Sequence, residues 1–149
     1  MTKNIVPYNG FGFTIHLINP PYFKYLDGSD VLDVHYGKLE KNVLKMLTKK
    51  KSPITGSQLR FIRSTFQMTQ NQFSGFLNLA NQAMISKYES AENDFSGMDT
   101  NTEILLRLKI LEKIGSFDKP FKLSKKLVEI TPIKRSNNLE DEIITLKAS

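Results

Sequence analysis

The chain has 149 residues, 40% of them apolar, and 21 Lys and Arg against 15 Asp and Glu give a formal net charge of +6. That length suits one ordinary domain or a small domain with appendages, and no apolar run reaches the roughly 18 residues a membrane span requires. Cysteine is absent and the only histidines are His16 and His35, which excludes disulfides, thiolate nucleophiles and Cys-ligated zinc and suits a reducing cytoplasm. The opening MTKNIVPYNG has no apolar core, so no secretory signal is expected.

Phe11, Phe13, Ile15 and Leu17 alternate with Gly12, Thr14 and His16, the period of a half-buried strand. Asn19-Pro20-Pro21 ends it. YFKYL follows, then a turn at Asp27-Gly28, then VLDVHY with Leu32, Val34 and Tyr36 on one face. These runs predict a small antiparallel β-meander. Its aromatics, Phe11, Phe13, Tyr22, Phe23, Tyr25 and Tyr36, are read as its core rather than as a base-stacking platform. His16 and His35 are read as outward polar residues rather than metal ligands. Asp27, Asp30 and Asp33 lack the twelve-residue loop and closing Glu of a calcium site and are read as an acidic turn. Leu39, Val43, Met46 and Leu47 then recur at helical spacing. TKKKSP reads as a linker that closes a first unit over residues 1–50.

Thr55 opens a second unit, over 51–115. Thr55 and Gln58 have capping-box spacing, and Leu59, Ile62 and Phe66 line one helix face. Thr69 and Gln72 repeat the device, so a second helix starts there with Phe73, Phe76 and Leu77 inward. Asn81 caps a third helix that turns Ile85 and Tyr88 to the core and Gln82, Ala83, Ser86 and Lys87 away from it. Asp99-Thr-Asn-Thr102 caps a fourth, Glu103–Ile114. Its apolar residues fall into two stripes, Ile104, Leu105, Leu108 and Leu111, and Leu106, Ile110 and Ile114. One stripe can cover the unit's core and the other can meet a second copy, so a homodimer is expected; the alternative is a monomer in which the N-terminal meander or the tail covers the second stripe in cis. In the extension, 116–149, KLVEITPIKR reads as a short strand and SNNLEDEIITL as a short acidic helix, with a flexible tail as the alternative.

Charge is unevenly placed. From Lys41 to Tyr88 there are eight basic residues and no Asp or Glu, and carboxylates return at Glu89, Glu92, Asp94 and Asp99. A positive surface of this kind attracts a polyanion, because each neutralised phosphate releases counterions. Two helices joined by a short turn, the second exposing amides, suit a major groove about 12 Å wide. Gln82 and Asn81 can both give and take hydrogen bonds with adenine, Ala83 permits close approach, and Lys87, Arg60, Arg63 and the Lys49–Lys51 cluster attract the backbone.

Residues 55–90 resemble the lambda-repressor/Cro-like, xenobiotic-response-element type of helix-turn-helix. LRFIRSTFQMTQNQFS is similar to the family's Leu-Arg-x-x-Arg…Leu-Thr-Gln-x-x-Leu-Ala, and ISKYE to its Ile-Ser-Arg-Trp-Glu. The resemblance implies phosphate or base contact at Gln70, base reading at Asn81, Gln82 and Ala83, with Ser86 beside them, and phosphate contact at Lys87. Relative to the family, one extra residue lies between Gln70 and Ile85, and Asn78 stands where a turn glycine is customary. Placed in the turn, the extra residue keeps Asn81 as cap and Ile85 buried; placed in the helix, it brings Ala80 or Met84 into the reading set. An N-terminal unit ahead of such a motif also resembles antitoxins that fuse a toxin-binding domain to a helix-turn-helix, here necessarily without Cys-ligated zinc.

The expected fold class is therefore α+β: a small N-terminal antiparallel β-meander plus helix, then an all-α Cro/repressor-like helix-turn-helix domain. The expected function is a cytoplasmic, sequence-specific, double-stranded DNA-binding repressor, with autoregulation as an antitoxin and a toxin partner at the N-terminal unit or tail as its extension. The alternative is a protein-interaction module that keeps the helix-turn-helix as a scaffold. No nucleophile–base pair or glycine-rich phosphate loop is present, so no enzyme and no cofactor are expected.

Overall fold

A computed structural model describes residues 2–115, 131–132 and 145–147 of the chain. In order these are strands β1 (Ile5–Tyr8), β2 (Ile15–Ile18), β3 (Tyr22–Lys24) and β4 (Asp30–Leu32), helices α1 (Tyr36–Lys49), α2 (Gly56–Thr65), α3 (Gln70–Phe76), α4 (Gln82–Glu89) and α5 (Thr100–Lys113), and strand β5 (Thr145–Lys147). The fold is α+β.

The strands form two antiparallel hairpins instead of one meander. β1 pairs with β2, Tyr8 opposite Ile15, and β3 pairs with β4, Phe23 opposite Val31. The alternation from Phe11 to Leu17 is real in burial, since all four apolar positions are buried. Only Ile15 onward is strand, because Gly12 takes φ +87° and turns the chain. The VLDVHY strand is shorter than expected. It stops at Leu32, and His35 N-caps α1, its Nδ1 accepting from the Lys38 amide at 3.1 Å. The SNNLEDEIITL helix is overturned at its last two residues: Thr145 and Leu146 belong to β5, which adds to β2 in parallel. The rest of that segment and all of KLVEITPIKR except Thr131 and Pro132 lie outside the described residues.

The aromatics divide. Phe11 and Phe13 are buried and meet Phe61 of α2 at ring-centroid distances of 4.9 and 5.5 Å. Tyr22, Phe23, Tyr25 and Tyr36 are exposed, which corrects their reading as core. The β3–β4 hairpin makes its own short sheet, and so leaves its apolar side chains in water. Met46, read on the inward face of α1, is also exposed, while Leu44 takes the buried position.

A single apolar cluster runs from Phe11, Ile15 and Leu17 through Leu39, Val43 and Leu47 to Leu59, Ile62, Phe73, Ile85, Leu106 and Ile110. It crosses the position where TKKKSP reads as a linker. That stretch is held by α5. Arg107, fully buried, donates to the carbonyls of Thr48, Lys50 and Ser52 and to Glu103 Oε2, and Glu103 Oε1 accepts the Ile54 amide at 2.7 Å. One ion pair on α5 thus closes the C-terminal end of α1 and fixes the entry to α2. Burial pushes the Glu103 carboxyl above its ordinary value, against the downward pull of Arg107 and the Ile54 amide.

The stripes of α5 are rearranged accordingly. Leu106, Ile110 and Leu111 face the core, whereas Ile104, Leu105 and Leu108 are half-buried. Lys109 and Lys113 lie over the rings of Phe76 and Phe66, 3.8 and 4.9 Å from their centroids, and so pack α5 against the ends of α3 and α2.

Candidate nucleic-acid interface

Both capping boxes are present. The Thr55 hydroxyl accepts from the Gln58 amide and the Gln58 side chain accepts from the Thr55 amide. Thr69 and Gln72 do the same at the start of α3. Four orphan amides are thereby satisfied locally, and the two helix starts are fixed by sequence alone.

The helix ends are built alike. After α2, Gln67 takes φ +54°, its amide bonding the Ser64 carbonyl and the Met68 amide the Arg63 carbonyl. After α3, Asn78 takes φ +55°, its amide bonding the Gly75 carbonyl and the Leu79 amide the Ser74 carbonyl. This paired pattern, with one left-handed residue, is the Schellman termination. Asn78 occupies the conformation a glycine would take, and Asn tolerates it better than most side chains. Residues 77–81 form the turn, Asn81 is the N-cap residue of α4, and Ile85 is fully buried.

The start of α2 meets the end of α4. Gly56 and Ser57 donate their amides to the carbonyls of Asp94 and Glu92. A Cβ on Gly56 would sit 2.6–2.7 Å from the Glu92 amide and the Tyr88 and Glu89 carbonyls, so only glycine permits this approach.

On α4, Asn81, Gln82, Ala83, Ser86 and Lys87 are exposed, and Met84 is half-buried. Ile85, Tyr88 and Glu89 are buried. Asn81 makes no side-chain cap hydrogen bond, so its amide is not spent on the helix end.

Behind this face Glu89 organises the polar side chains. Its carboxylate is 2% exposed and accepts from Arg63 through Nε and Nη2 at 2.5 and 3.1 Å, and from Gln70 Nε2 at 2.9 Å. Gln70 Oε1 in turn accepts from Gln82 Nε2 at 3.3 Å. Arg60 approaches the same carboxylate at 3.7 Å and keeps about half of its side chain in solvent.

The residues read as one interface therefore separate. Gln70, Gln82 and Glu89 form a chain of hydrogen bonds that ends at the exposed face. Arg60 and Lys87 remain exposed. Arg63, expected at phosphates, instead faces inward, held by Glu89 and by the Met68 carbonyl at 3.0 Å. Within the lysine cluster, Lys49 and Lys51 are exposed, while Lys50 donates to Pro53 and to Gln58 Oε1. Glu89 is the residue of this site that sequence reasoning passed over. The signal was available: Ile85, Tyr88 and Glu89 form an i, i+3, i+4 inward face, where a carboxylate must find a cation.

Among the described residues no group of three or more His, Cys, Asp or Glu is arranged to hold a metal ion, and no helix is long and apolar enough to cross a membrane. Comparison with protein-family models, with curated proteins and with solved structures gave no match.

Proposed function

We propose that the protein is a sequence-specific binder of double-stranded DNA that acts as a cytoplasmic transcriptional regulator, with α3 and α4 as its helix-turn-helix. The observation that carries this reading is the solvent face of α4, where Asn81, Gln82, Ala83, Ser86 and Lys87 stand together with no carboxylate among them. The Gln82 amide is already oriented by Gln70, so fewer rotamers are lost when it meets a base edge. Gln70 at the start of α3 is the residue proposed to share a phosphate, and the exposed Arg60 and Lys87 supply the cations.

One short recognition helix reads too few base pairs for a specific site, so two copies related by a two-fold axis are required. The half-buried residues Ile104, Leu105 and Leu108 on α5 are the face proposed for that contact. The site is then an inverted repeat with half-sites about 34 Å apart.

Selection of duplexes from a random pool, followed by a salt titration of the best one, tests the reading. An inverted repeat and a log–log slope of several units are expected, at about 0.9 per phosphate neutralised. Absence of duplex binding at low salt, or an affinity indifferent to salt, overturns it.

A second reading, a protein-interaction module such as a toxin-binding antitoxin, is favoured by one feature. Tyr22, Phe23, Tyr25 and Leu26 expose apolar side chains on the β3–β4 hairpin, Leu26 at its tip entirely so. The two readings are compatible, since the hairpin and α4 are different surfaces.

A further inference from the structure

A cleft of about 250 Å³ opens between the Gly10–Gly12 turn, the start of α1 and one side of α2. Its lining has two characters. Phe11, Tyr36 and Phe61 give it aromatic walls, with Phe11 stacked at a tilt 5.2 Å from Tyr36 and 4.9 Å from Phe61. Ser57 and Arg60 give it donors, while the Ser64 hydroxyl on the same lining already donates to the Arg60 carbonyl at 2.9 Å. No Asp or Glu lines it.

Two polar groups here are under-used by the fold. Ser57 is 8% exposed, and its hydroxyl makes no hydrogen bond among the described residues. Arg60 has one long hydrogen bond, Nη2 to the Glu89 carbonyl at 3.5 Å, and stands 3.7 Å from a carboxylate already satisfied by Arg63 and Gln70. A guanidinium in this state keeps a fork of donors for an incoming carboxylate, and aromatic walls favour a flat apolar body behind it. The Tyr36 phenol does not oppose an anion. Although Tyr36 is exposed, partial desolvation of its hydroxyl, with the Glu40 charge adding to it, shifts its pKa upward, so it stays a neutral donor.

We propose that this cleft binds a small planar aromatic carboxylate, its ring against Tyr36 and its charge on Arg60, and that occupancy weakens the grip on DNA. The binding half stands on the cleft alone. The regulatory half rests on the DNA-binding reading, in which Arg60 is a phosphate contact that the ligand takes away.

The test titrates the full chain with benzoate and indole-3-acetate, with benzamide as the uncharged control, by calorimetry at constant ionic strength. Saturable binding of the carboxylates is expected, at least about tenfold tighter than benzamide, the loss of one charge-assisted pair. Tyr36→Ala should weaken carboxylate binding by up to about tenfold, the worth of one aromatic face, and leave duplex affinity unchanged. Ser64→Asp, on an exposed position, should weaken the same ligands by repulsion, and it keeps the test valid if Tyr36→Ala misfolds. Saturating carboxylate should lower the wild-type duplex affinity several-fold. Equal affinity for benzamide, or indifference to both substitutions, overturns the site. Unchanged duplex affinity at saturation overturns the regulatory half. If no duplex is bound but the carboxylates bind in a Tyr36-dependent way, the DNA reading falls and the binding site stands.

Discussion

Gln82 Nε2 donates to Gln70 Oε1 at 3.3 Å, and this bond links the exposed face of α4 to the first residue of α3. Because Gln70 is itself held by Glu89, the two glutamines act as one unit. On the best duplex, Gln82→Ala should cost about 1–3 kcal/mol. Adding Gln70→Ala should then cost less than it does alone, with a coupling of at least about 0.5 kcal/mol in a double-mutant cycle. Fluorescence anisotropy on all four proteins measures this. Strict additivity would show that Gln70 does not position Gln82.

The two arginines of α2 should behave oppositely. Arg60→Ala, like Lys87→Ala, is expected to weaken binding to every duplex alike and to reduce the salt slope by about 0.9. Arg63→Ala should instead lower the stability of the fold by about 3–5 kcal/mol, since it strands the buried Glu89 carboxylate. Urea unfolding separates the cases; an Arg63→Ala protein of wild-type stability refutes the assignment.

Arg107→Met should destabilise by about 3–5 kcal/mol, leaving three carbonyls and Glu103 without their donor. Its pH dependence is specific. Glu103 already titrates above its ordinary 4.5, and loss of the cation raises it further. An acid with a raised folded pKa contributes stability that is whole below its unfolded value and is lost as pH rises through the folded one. The variant should therefore gain stability, and the gap to wild type narrow, as pH falls from 7 toward 4.5. A gap that stays constant or widens over that window shows that Glu103 is not the group responsible.

Backbone conformation gives a pair of opposite signs. Asn78→Gly should stabilise by about 0.5 kcal/mol or leave stability unchanged, because φ +55° suits glycine. Gly56→Ala should destabilise by about 1–3 kcal/mol, forcing α2 away from the carbonyls at the end of α4. Thermal unfolding of both variants is sufficient, and a Gly56→Ala protein as stable as wild type means the approach of the two helices is looser than described.

Assembly is tested on α5. Ile110→Asp unfolds the chain whichever way it assembles, because Ile110 is fully buried. Leu108→Asp touches a half-buried side chain and should give a folded monomer with reduced operator affinity, read by light scattering and anisotropy together. A wild-type chain that is monomeric while bound to the full operator removes the dimer from the proposal.

What was legible in the sequence was what local chemistry decides. Thr55 with Gln58 and Thr69 with Gln72 announce two helix starts through spacing alone, and Ile85 with Tyr88 gives the inward face of α4. The misses share a different cause. Arg107 and Glu103 look like solvated positions on an apolar helix until the carbonyls of residues 48–52 are brought to them by the fold. Tyr22, Phe23 and Tyr25 look like core because aromatics in short strands commonly are, yet no second layer covers their hairpin among the described residues. Glu89 needed Arg63, which is distant in the chain. Within the candidate interface the outward positions were readable from helical period, whereas the inward turn of Arg63 was not.

The parallel pairing of β5 with β2 sets an order of events during translation. β2 leaves the ribosome before the helices and can close on β1 at once, but His16, Leu17 and Ile18 meet Thr145, Leu146 and Lys147 only after every described helix has been made. Until then the second edge of β2 is open to any extended segment nearby, including that of a neighbouring nascent chain. Helices can form locally in the meantime, so among the described elements the sheet is completed last. A ribosome stalled before residue 145 would hold a chain whose described helices are already made and whose β2 edge is still unpaired by β5.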